Sequence, residues 1–561
     1  MGANRRVPLT LGVTGHRDLV AEEVPVIARR LHELFDLLES RYAGLPLRLV
    51  TALAEGGDRI AAEVARKRGI ELLVPLPLPV EDYERDFADA ASRHAFRELL
   101  ACATVVNMAV AGDASQSREQ AYARAGIYSS DHCQIMIAIW DGKPAEHGGG
   151  TADVVEYHQF GDMARLGASP LNRRGLAKDD TDLVYHIVCS RKRQHGAPAA
   201  GLQPGTARWL VADPERLTVD DIPAGLSRMI ERTAEFNQDV AGITGQISPA
   251  GVLPGWRARF AEQPDLARTA KYFALADRLA TRYAQRYRTA LRVLYLLAAL
   301  MGISFIAYAD LNRPSMIAAY LLLFFAGFVL YRLVSRLQWH RKFLDYRALA
   351  EGLRVQFYWR LGGVSGQLRN DFAYDNFLQK QDVEIGWIRN VMRFAGAAED
   401  RLRRRAADVE AVVEHWIGQP GGHGQLGYFE NRCRSHRRHV TRTDRVVAVT
   451  LWAGIVITLA LALLQHRLDD LLVTGMVAAM GILPLLAAVR EAYAHKVAEK
   501  ELLKQYSYML DIYRMACFRL SRCKTVEDKR ELLRALGEAA LDEHAEWILI
   551  HRERPLEPGK L

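Results

Sequence analysis

The sequence predicts two fold classes in one chain. The first is an α/β domain with a doubly wound parallel sheet, and the second is an all-α membrane region with four transmembrane helices in two hairpins and long cytosolic helices. Short apolar runs alternate with amphipathic stretches from residue 7 to about 190, which is typical of a parallel sheet covered by helices on both faces. Four apolar runs of about 17–19 residues follow later, near the minimum length that crosses a bilayer.

The α/β domain is predicted as a succession of strand and helix pairs. The strands are predicted in PLTLGVT, LPLRLVTAL, IELLVPLPL, ATVVNMAV, CQIMIAIWDG and DLVYHIVCS. Helices are predicted between them, at about 24–41, 58–68, 83–100 and 117–130 and in TADVVEYHQF. Open parallel sheets bind ligands outside the carboxyl ends of their strands. The turns that follow the strands are therefore the first candidates for a site.

Three of these turns carry small and polar residues suited to an anionic ligand: TGHRD, AEGGDR, and WDG followed by GGGT. Glycines at a helix start expose N–H groups that favour phosphate. Loop glycines with solvated neighbours, and Asp58 acting only as a helix N-cap, are the structural alternatives. The residues predicted to bind the ligand are Thr14, Gly15, His16, Arg17, Gly56, Gly57, Asp58, Asp141, Gly148, Gly149, Gly150 and Thr151.

The common enzyme signatures do not occur at these turns. Neither GxGxxG nor a P-loop is present there, so neither an ordinary dinucleotide enzyme nor an NTPase is indicated. The six cysteines are scattered without a CxxC pair, which indicates reduced cytosolic thiols. We predict no catalytic residue, no metal site and no cofactor beyond the nucleotide-derived ligand.

The three turns also carry a family resemblance. GVTGHRD, ALAEGGDRIAAEVA and YARAGIYSSDHCQIMIAIWDGKPAEHGGGTADVV resemble the SLOG superfamily, the Rossmann-like fold of the LOG phosphoribohydrolases and DprA-like proteins, over most of residues 7–190. The resemblance implies cleavage of nucleoside monophosphates or sensing of a nucleotide-derived ligand. Against the LOG motif PGGxGTxxE, this chain has Glu146 for the proline and Val154 for the catalytic glutamate, with Asp153 and Glu156 out of register. This departure favours binding without turnover.

The membrane region is predicted as hairpins at 293–331 and 446–489. The first contains VLYLLAALMGISFIAYA and SMIAAYLLLFFAGFVLY, and the second contains VVAVTLWAGIVITLALALL and LLVTGMVAAMGILPLLAAV. The spans contain no Asp, Glu, Lys, Arg or His, which argues against an ordinary transporter or channel with ion coupling. Gly475 and Ala479 form a small-xxx-small pair suited to close helix packing, with lipid-facing small residues as the alternative.

Charge predicts the orientation of the hairpins. The net charge is +8, and basic residues concentrate at the outer ends of both hairpins, whereas the tight loops hold one arginine each, Arg313 and Arg467. By the positive-inside rule both hairpins enter from and return to the cytoplasm. We therefore predict a multi-pass protein of the plasma (inner) membrane with cytoplasmic N- and C-termini. The basic flanks are predicted to contact anionic membrane lipids, and no nucleic acid partner is expected.

A second resemblance covers the membrane region. YRALAEGLRVQFYW and EHAEWILIHRERPLE resemble SLATT proteins, bacterial two-transmembrane effectors found with SLOG sensors, over roughly residues 265–557. The resemblance implies hairpins that assemble, as a homo-oligomer, into pores or disrupt the membrane when a sensor binds its ligand. It carries no catalytic residue onto this chain.

These observations predict five regions and leave competing functions open. The regions are a SLOG-like domain at 1–190, a linker with short helices at 191–264, the first hairpin with flanking helices at 265–365, a cytosolic helical connector at 366–430, and the second hairpin with C-terminal helices at 431–561. The leading hypothesis is a ligand-gated membrane effector of a bacterial anti-phage or other conflict system. The alternative is a membrane-anchored LOG-like nucleoside monophosphate phosphoribohydrolase using Asp153, Glu156 or Asp58.

Overall fold

A computed structural model describes residues 6–108, 117–145, 149–161, 183–212, 217–243, 264–364, 377–378, 383–396 and 406–552. The chain divides into two compact units. The first unit consists of Met1–Lys271 and Tyr374–Leu402, and the second of Tyr272–Ala373 and Arg403–Leu561. The segment 374–402, predicted as part of a connector, therefore belongs to the first unit.

Within the described part of the first unit, eight strands form one mixed sheet. The strands are β1 (Leu9–Gly15), β2 (Leu47–Val50), β3 (Glu71–Leu76), β4 (Thr104–Asn107), β5 (Ile135–Trp140), β6 (Leu183–Val188), β7 (Ala207–Leu210) and β8 (Thr218–Val219). Their order across the sheet is β4-β3-β2-β1-β5-β6-β7-β8. The first six strands are parallel, as predicted, and β7 and β8 are antiparallel.

The antiparallel edge differs from the prediction of a linker at 191–264. Both strands lie in a segment rich in Gly, Pro and Ala, and β7 has four residues and β8 two. Pro204, Gly205 and Pro214 flank β7 in the sequence, and Gly and Pro around a short run indicate a loop. The sheet extends by two strands beyond residue 190, where the α/β domain was predicted to end, and the segment predicted as a linker with short helices also contains the helix Ala224–Ala241.

The helices continue the alternation and then form the second unit. In chain order they are α1 (Val24–Arg41), α2 (Gly57–Lys67), α3 (Val80–Tyr83), α4 (Ala90–Ala101), α5 (Arg118–Asp131), α6 (Thr151–Phe160), α7 (Ala224–Ala241), α8 (Pro264–Ala309), α9 (Met316–Leu337), α10 (Trp339–Leu361), α11 (Trp387–Gly396), α12 (Ala406–Val412), α13 (Gln425–Leu464), α14 (Asp470–Lys496), α15 (Glu499–Leu520) and α16 (Val526–Arg552). A short π-helical turn, Val413–Ile417, follows α12.

Two predicted helical segments are divided in the structure. The helix predicted at 83–100 is split into α3, a 3-10 turn and α4, because Asp89 caps α4 by accepting a hydrogen bond from the Ser92 amide. The connector predicted as helical at 366–430 contains, among its described residues, a 3-10 turn at Val383–Gly386, α11, α12, the π-helical turn and the start of α13.

The sheet has a dry centre because β1 and β5 are covered on both faces. Residues Ile135–Ile139 of β5 have no exposed surface, and Leu11 of β1 likewise has none. Such continuous burial is why these strands are apolar without alternation. In the register between them, Gly15 lies opposite Ile139, so the two strands end side by side.

Four helices of the described chain are long and apolar enough to cross a membrane, which confirms the predicted number of spans. They contain α8, α9, α13 and α14. Large apolar side chains on them face outward, among them Leu322 at 70% exposure and Leu463 at 73%. Exposed apolar surface of this extent is typical of a membrane-contacting region. The membrane type and the orientation of the termini remain predictions.

Glycines allow the spans to approach one another. A Cβ placed at Gly302 of α8 would lie 2.5 Å from Leu485 of α14, and one at Gly481 would lie 3.2 Å from Ile306. At Gly475, however, a Cβ would meet no atom of the described residues within 4 Å. The close packing predicted for the Gly475 and Ala479 pair is therefore not made at Gly475 within the described chain.

The remaining helices of the second unit pack against each other through buried aromatic residues. The Trp359 indole N–H on α10 donates a hydrogen bond to the Leu533 carbonyl on α16, 3.1 Å away. Arg552 near the end of α16 pairs with the buried carboxylate of Asp345 at 2.7 Å. Arg347 and Glu351, four residues apart on α10, form an ion pair.

Candidate functional site

A cavity of about 550 Å³ lies at the carboxyl ends of β1 and β5, beside the first residues of α2 and α6. Its volume lies within the usual range of small-molecule pockets. The three predicted turns meet here because their strands are neighbours in the sheet. The predicted site residues that line the cavity are Thr14, Gly15, His16, Arg17, Asp58, Asp141, Gly149, Gly150 and Thr151. Gly56 and Gly57 do not line it, and Gly148 lies outside the described residues.

Gly56 and Gly57 bring the first two turns together. A Cβ at Gly56, whose φ is +82°, would lie 2.2 Å from the His16 carbonyl oxygen. A Cβ at Gly15 would lie 2.8 Å from the Gly57 Cα. The Gly57 N–H donates a hydrogen bond to the His16 carbonyl at 3.0 Å, so it is not available to a phosphate. The structure thus gives these paired glycines a packing role.

Asp58 is buried between the same two turns. Its carboxylate accepts a hydrogen bond from Thr51 Oγ1 at 3.4 Å and is also bonded by the backbone N–H groups of Gly15 and Ala54. Burial raises the pKa of Asp58 to about 7, although nearby Arg17 opposes the shift. Gly56 holds the N-cap position of α2, so the alternative that Asp58 acts as the N-cap was wrong.

The third turn is closed by a residue of its own helix. The N–H groups of Gly149 and Gly150 both donate to Asp153 Oδ2, at 2.7 and 3.1 Å. The Asp153 carboxylate therefore satisfies both amides at the start of α6, and they are not free to bind a phosphate. The next two residues, Thr151 and Ala152, also line the cavity, and amides at this position in a helix lack intrahelical partners.

His16 and Asp141 face each other where β1 and β5 end. His16 Nε2 lies 3.0 Å from Asp141 Oδ1, which also accepts a hydrogen bond from the Lys143 amide at 3.1 Å. Burial lowers the pKa of His16, so its ring is neutral near pH 7. Asp141 is 1% exposed, and its Oδ2 accepts no hydrogen bond from the described residues, with Arg193 Nη2 4.0 Å away. The pair provides a buried carboxylate at the cavity wall.

His186 supports this turn from the neighbouring strand. Its Nε2 lies 2.9 Å from the Trp140 carbonyl oxygen, and Arg208 on β7 donates its Nε–H to His186 Nδ1 at 3.2 Å. Burial lowers the pKa of His186 to about 4, which keeps the ring neutral. The edge strand that sequence reasoning missed therefore helps to position the third turn.

Two tyrosines form an aromatic wall on the other side of the cavity. The guanidinium of Arg17 lies 5.1 Å from the centre of the Tyr122 ring, and the Tyr122 hydroxyl donates to the Asp86 carboxylate. The Tyr83 hydroxyl donates to the Ala52 carbonyl at 3.2 Å. Tyr83 is fully buried, so Tyr122 is the ring of this pair that a planar group could contact, together with the Arg17 guanidinium above it. Sequence reasoning missed both tyrosines, because nothing in a helical stretch tells which face meets a strand end.

Basic side chains exceed acidic ones around the cavity. The lining cations are Arg17, Lys143, Arg191 and Arg193, and the lining carboxylates are Asp18, Asp58 and Asp141. Arg191 pairs with Asp18 at 2.8 Å. Because the raised pKa of Asp58 leaves it only partly ionised at pH 7, the lining carries a net positive charge. Arg191 and Arg193 were not predicted, since they lie in the segment interpreted as a linker.

The carboxylates considered for catalysis are separated by the structure. Asp153 caps α6, and Glu156 is exposed and does not line the cavity. Val154, which occupies the position of the LOG glutamate, lines the cavity and is buried. Of the three candidates only Asp58 lies at the cavity wall. The described residues contain no group of three or more His, Cys, Asp or Glu that could hold a metal ion.

No protein-family model, curated protein or solved structure matches this chain. The site must therefore be interpreted from its own geometry and chemistry.

Proposed function

We propose that this chain is a ligand-gated membrane effector. In this proposal the α/β unit binds a small nucleotide-derived ligand, and the four apolar helices form a pore or disrupt the membrane, as a homo-oligomer, in a bacterial anti-phage or other conflict system. The observation that carries the proposal is the positively charged cavity at the strand ends, in the same chain as four apolar helices.

The chemistry of the cavity favours a phosphorylated ligand with a planar group. Arg17, Lys143, Arg191 and Arg193 supply charge for a phosphate, and the Thr151 and Ala152 amides lie at a helix start that favours anions. Tyr122 offers a ring on which a base could stack. A buried carboxylate such as Asp141 is the usual partner of a sugar hydroxyl.

The energy available from such a ligand is sufficient for gating. Moving a two-state equilibrium from about 1:99 to 99:1 requires about 5.5 kcal/mol of preference for one state. A hydrogen bond to a charged group contributes about 1.5–3 kcal/mol. Between about two and four such bonds made in only one arrangement of the protein would therefore supply this preference. A ligand with equal affinity for both arrangements would shift nothing.

Dye release from liposomes tests this proposal. The full chain is reconstituted into dye-loaded liposomes and exposed to nucleoside mono- and diphosphates. We expect release with one of them, and little with Arg17→Gln. The matched control is Arg66→Gln, an equal change of charge on an exposed residue of α2 that does not line the cavity. Release that is independent of every nucleotide, or identical in both variants, would contradict the proposal.

One observation keeps a second candidate, a membrane-anchored nucleoside monophosphate phosphoribohydrolase. Asp58 lines the cavity and has a pKa of about 7, which suits general acid–base catalysis at neutral pH. Base release from nucleoside monophosphates would be measured with the wild type and with Asp58→Asn. Hydrolysis that is lost in Asp58→Asn would favour this candidate, and no hydrolysis by the wild type would exclude it.

A further inference from the structure

Five exposed arginines form a continuous stripe on α13, immediately before its apolar segment. This arginine stripe consists of Arg434, Arg437, Arg438, Arg442 and Arg445. Spacings of three and four residues bring their side chains to one side of the helix. The next residue, Val446, begins the predicted span and is 53% exposed.

The stripe lines a cleft that α13 forms with α15. The cleft has a volume of about 660 Å³ and includes Leu510 and Arg514 of α15. A second cleft, of about 540 Å³, lies beside the same arginines and includes His436 and His439. Both volumes are large enough for a phosphate-bearing headgroup, and Leu510 adds an apolar contact to the first.

The nearby carboxylates are paired with residues outside the stripe, although one of them, Glu430, itself lines the cleft. Glu430 accepts hydrogen bonds from Arg514 at 3.2 Å and from the Gly421 amide at 2.9 Å. Asp444 pairs with Lys500 at 3.4 Å, and Glu499 pairs with Arg490 at 3.1 Å. Among the described residues, no arginine of the stripe forms an ion pair, although acidic residues lie close by.

An unneutralised stripe is unfavourable for the helix. Like charges four residues apart destabilise a helix by about 0.2–0.5 kcal/mol per pair, and the stripe contains two such pairs, Arg434 with Arg438 and Arg438 with Arg442. Bound anions would remove this repulsion. Guanidinium groups bind phosphate through paired hydrogen bonds, which makes phosphate the best-suited anion.

The arginine stripe lies next to the apolar segment, which favours a lipid headgroup as the source of the phosphate. An α-helix rises 1.5 Å per residue, so Arg442 and Arg445 lie within about 6 Å of the start of the apolar segment. The headgroup layer on each side of a bilayer is about 5–8 Å thick. A nucleic acid would need the stripe to stand clear of the membrane, whereas its last two arginines lie at headgroup level.

We propose that the arginine stripe binds the phosphate headgroups of anionic phospholipids in the leaflet that α13 enters. Arg442 and Arg445 contact the phosphate layer, and Arg434, Arg437 and Arg438, about 12–18 Å before the apolar segment, attract the anionic surface without direct contact. The site holds lipid beside the second hairpin whether or not the cavity of the α/β unit is filled. It rests on the membrane placement of α13 and is independent of the ligand proposal.

Native mass spectrometry of the purified full chain in detergent tests the site. The probes are phosphatidylglycerol, phosphatidylcholine, glycerol phosphate and a short oligonucleotide. The test variant is Arg442→Gln/Arg445→Gln, which removes the two arginines at headgroup level. The control is Arg519→Gln/Lys524→Gln, which makes the same change of charge at exposed residues at and just beyond the end of α15.

We expect the wild type and the control to retain phosphatidylglycerol in preference to phosphatidylcholine. At about 1 kcal/mol per basic residue, loss of two arginines lowers this retention about tenfold or more. Equal retention of the two lipids by the wild type would overturn the proposal even if the variant fails to fold. Unchanged retention in the test variant, or stronger binding of glycerol phosphate or the oligonucleotide than of the lipid, would overturn it as well.

Discussion

At the scale of single residues, Asp58 has two roles: it holds two turns together, and it sets the charge of the cavity wall. Its carboxylate holds two turns together through the backbone amides of Gly15 and Ala54, and it also lines the cavity near Arg17. Because its pKa is about 7, Asp58 changes its charge near neutral pH, where most carboxylates are already ionised. Any anionic ligand in the cavity will therefore meet a wall whose charge changes near neutrality.

The pH dependence of ligand binding follows from this raised pKa. Above about pH 7 the Asp58 carboxylate loses its proton and repels an anion, so affinity for the proposed nucleotide ligand should fall about tenfold between pH 6 and pH 8. Titration calorimetry of the full chain measures this. Asp58→Asn should bind without this step, and the same decline in the variant would contradict the assignment.

The stability of the protein should change in the same direction. Between the unfolded pKa of about 3.9 and the folded value of about 7, the folded protein keeps a proton that the unfolded chain has lost. Stability that is present at low pH is therefore lost as the pH rises through this window, at up to about 1.4 kcal/mol per pH unit. Asp58→Asn should lack this part of the decline in thermal unfolding.

Gly56 provides a second test at the residue scale. Gly56→Ala combines a positive φ with a Cβ 2.2 Å from the His16 carbonyl, and should cost about 2 kcal/mol or more in stability. Gly44→Ala is the matched control, because Gly44 also has a positive φ (+97°) but a Cβ there would meet no described atom within 4 Å. Only the backbone cost of about 1 kcal/mol is expected there. Equal melting temperatures for the two variants would contradict the close approach of the turns.

At the scale of helices and strands, apolar runs and caps were sufficient to predict most elements. α1 coincides with its predicted range, and Ser117 caps α5 where a helix start was expected. The short strands β7 and β8 were not predicted, because they lie among Gly and Pro residues that indicate a loop. Arg191 and Arg193 lie in the connection between β6 and β7 and line the cavity. Because this segment was interpreted as a linker, these two site residues were not predicted either.

The turns show which part of a site a sequence reveals. Glycines after three strands marked the turns as candidates, and in the structure residues of the first and third turns, and Ala54 and Asp58 of the second, line one cavity. The glycines did not reveal how the amides are used, because the partners of those amides are set by neighbours in space. The Asp153 carboxylate accepts hydrogen bonds from the Gly149 and Gly150 amides, and the His16 carbonyl accepts one from the Gly57 amide. The amides predicted to bind phosphate are therefore used in hydrogen bonds within the fold.

The packing of α10 against α16 provides a test at the element scale. Gly537→Ala would bring a Cβ to 2.2 Å from the buried Trp359 indole nitrogen, and should lower stability by about 1–3 kcal/mol. Gly327→Ala, in α9, is the control, since a Cβ there would meet no described atom within 4 Å. Thermal unfolding in detergent should show a loss only for Gly537→Ala. A rise in melting temperature for both variants would show that the indole does not pack there.

At the scale of the whole molecule, the property to test is the orientation of the four apolar helices across the membrane. The positive-inside pattern predicts that both tight loops lie outside the cytoplasm. Asn312→Cys and Arg467→Cys should therefore react with a membrane-impermeant maleimide on intact cells. Native Cys102, which is exposed on the first unit, should react only after lysis. Labelling of Cys102 on intact cells would reverse the orientation.

The central claim is that the cavity binds a nucleotide-derived ligand, and mass spectrometry of small molecules that co-purify with the full chain tests it most directly. The wild type and Arg66→Gln should carry a phosphorylated, nucleotide-derived compound. Arg17→Gln should carry at least about tenfold less of it, because one charge-assisted contact contributes about 1.5–3 kcal/mol. No such compound with the wild type, or equal amounts with Arg17→Gln, would contradict the account.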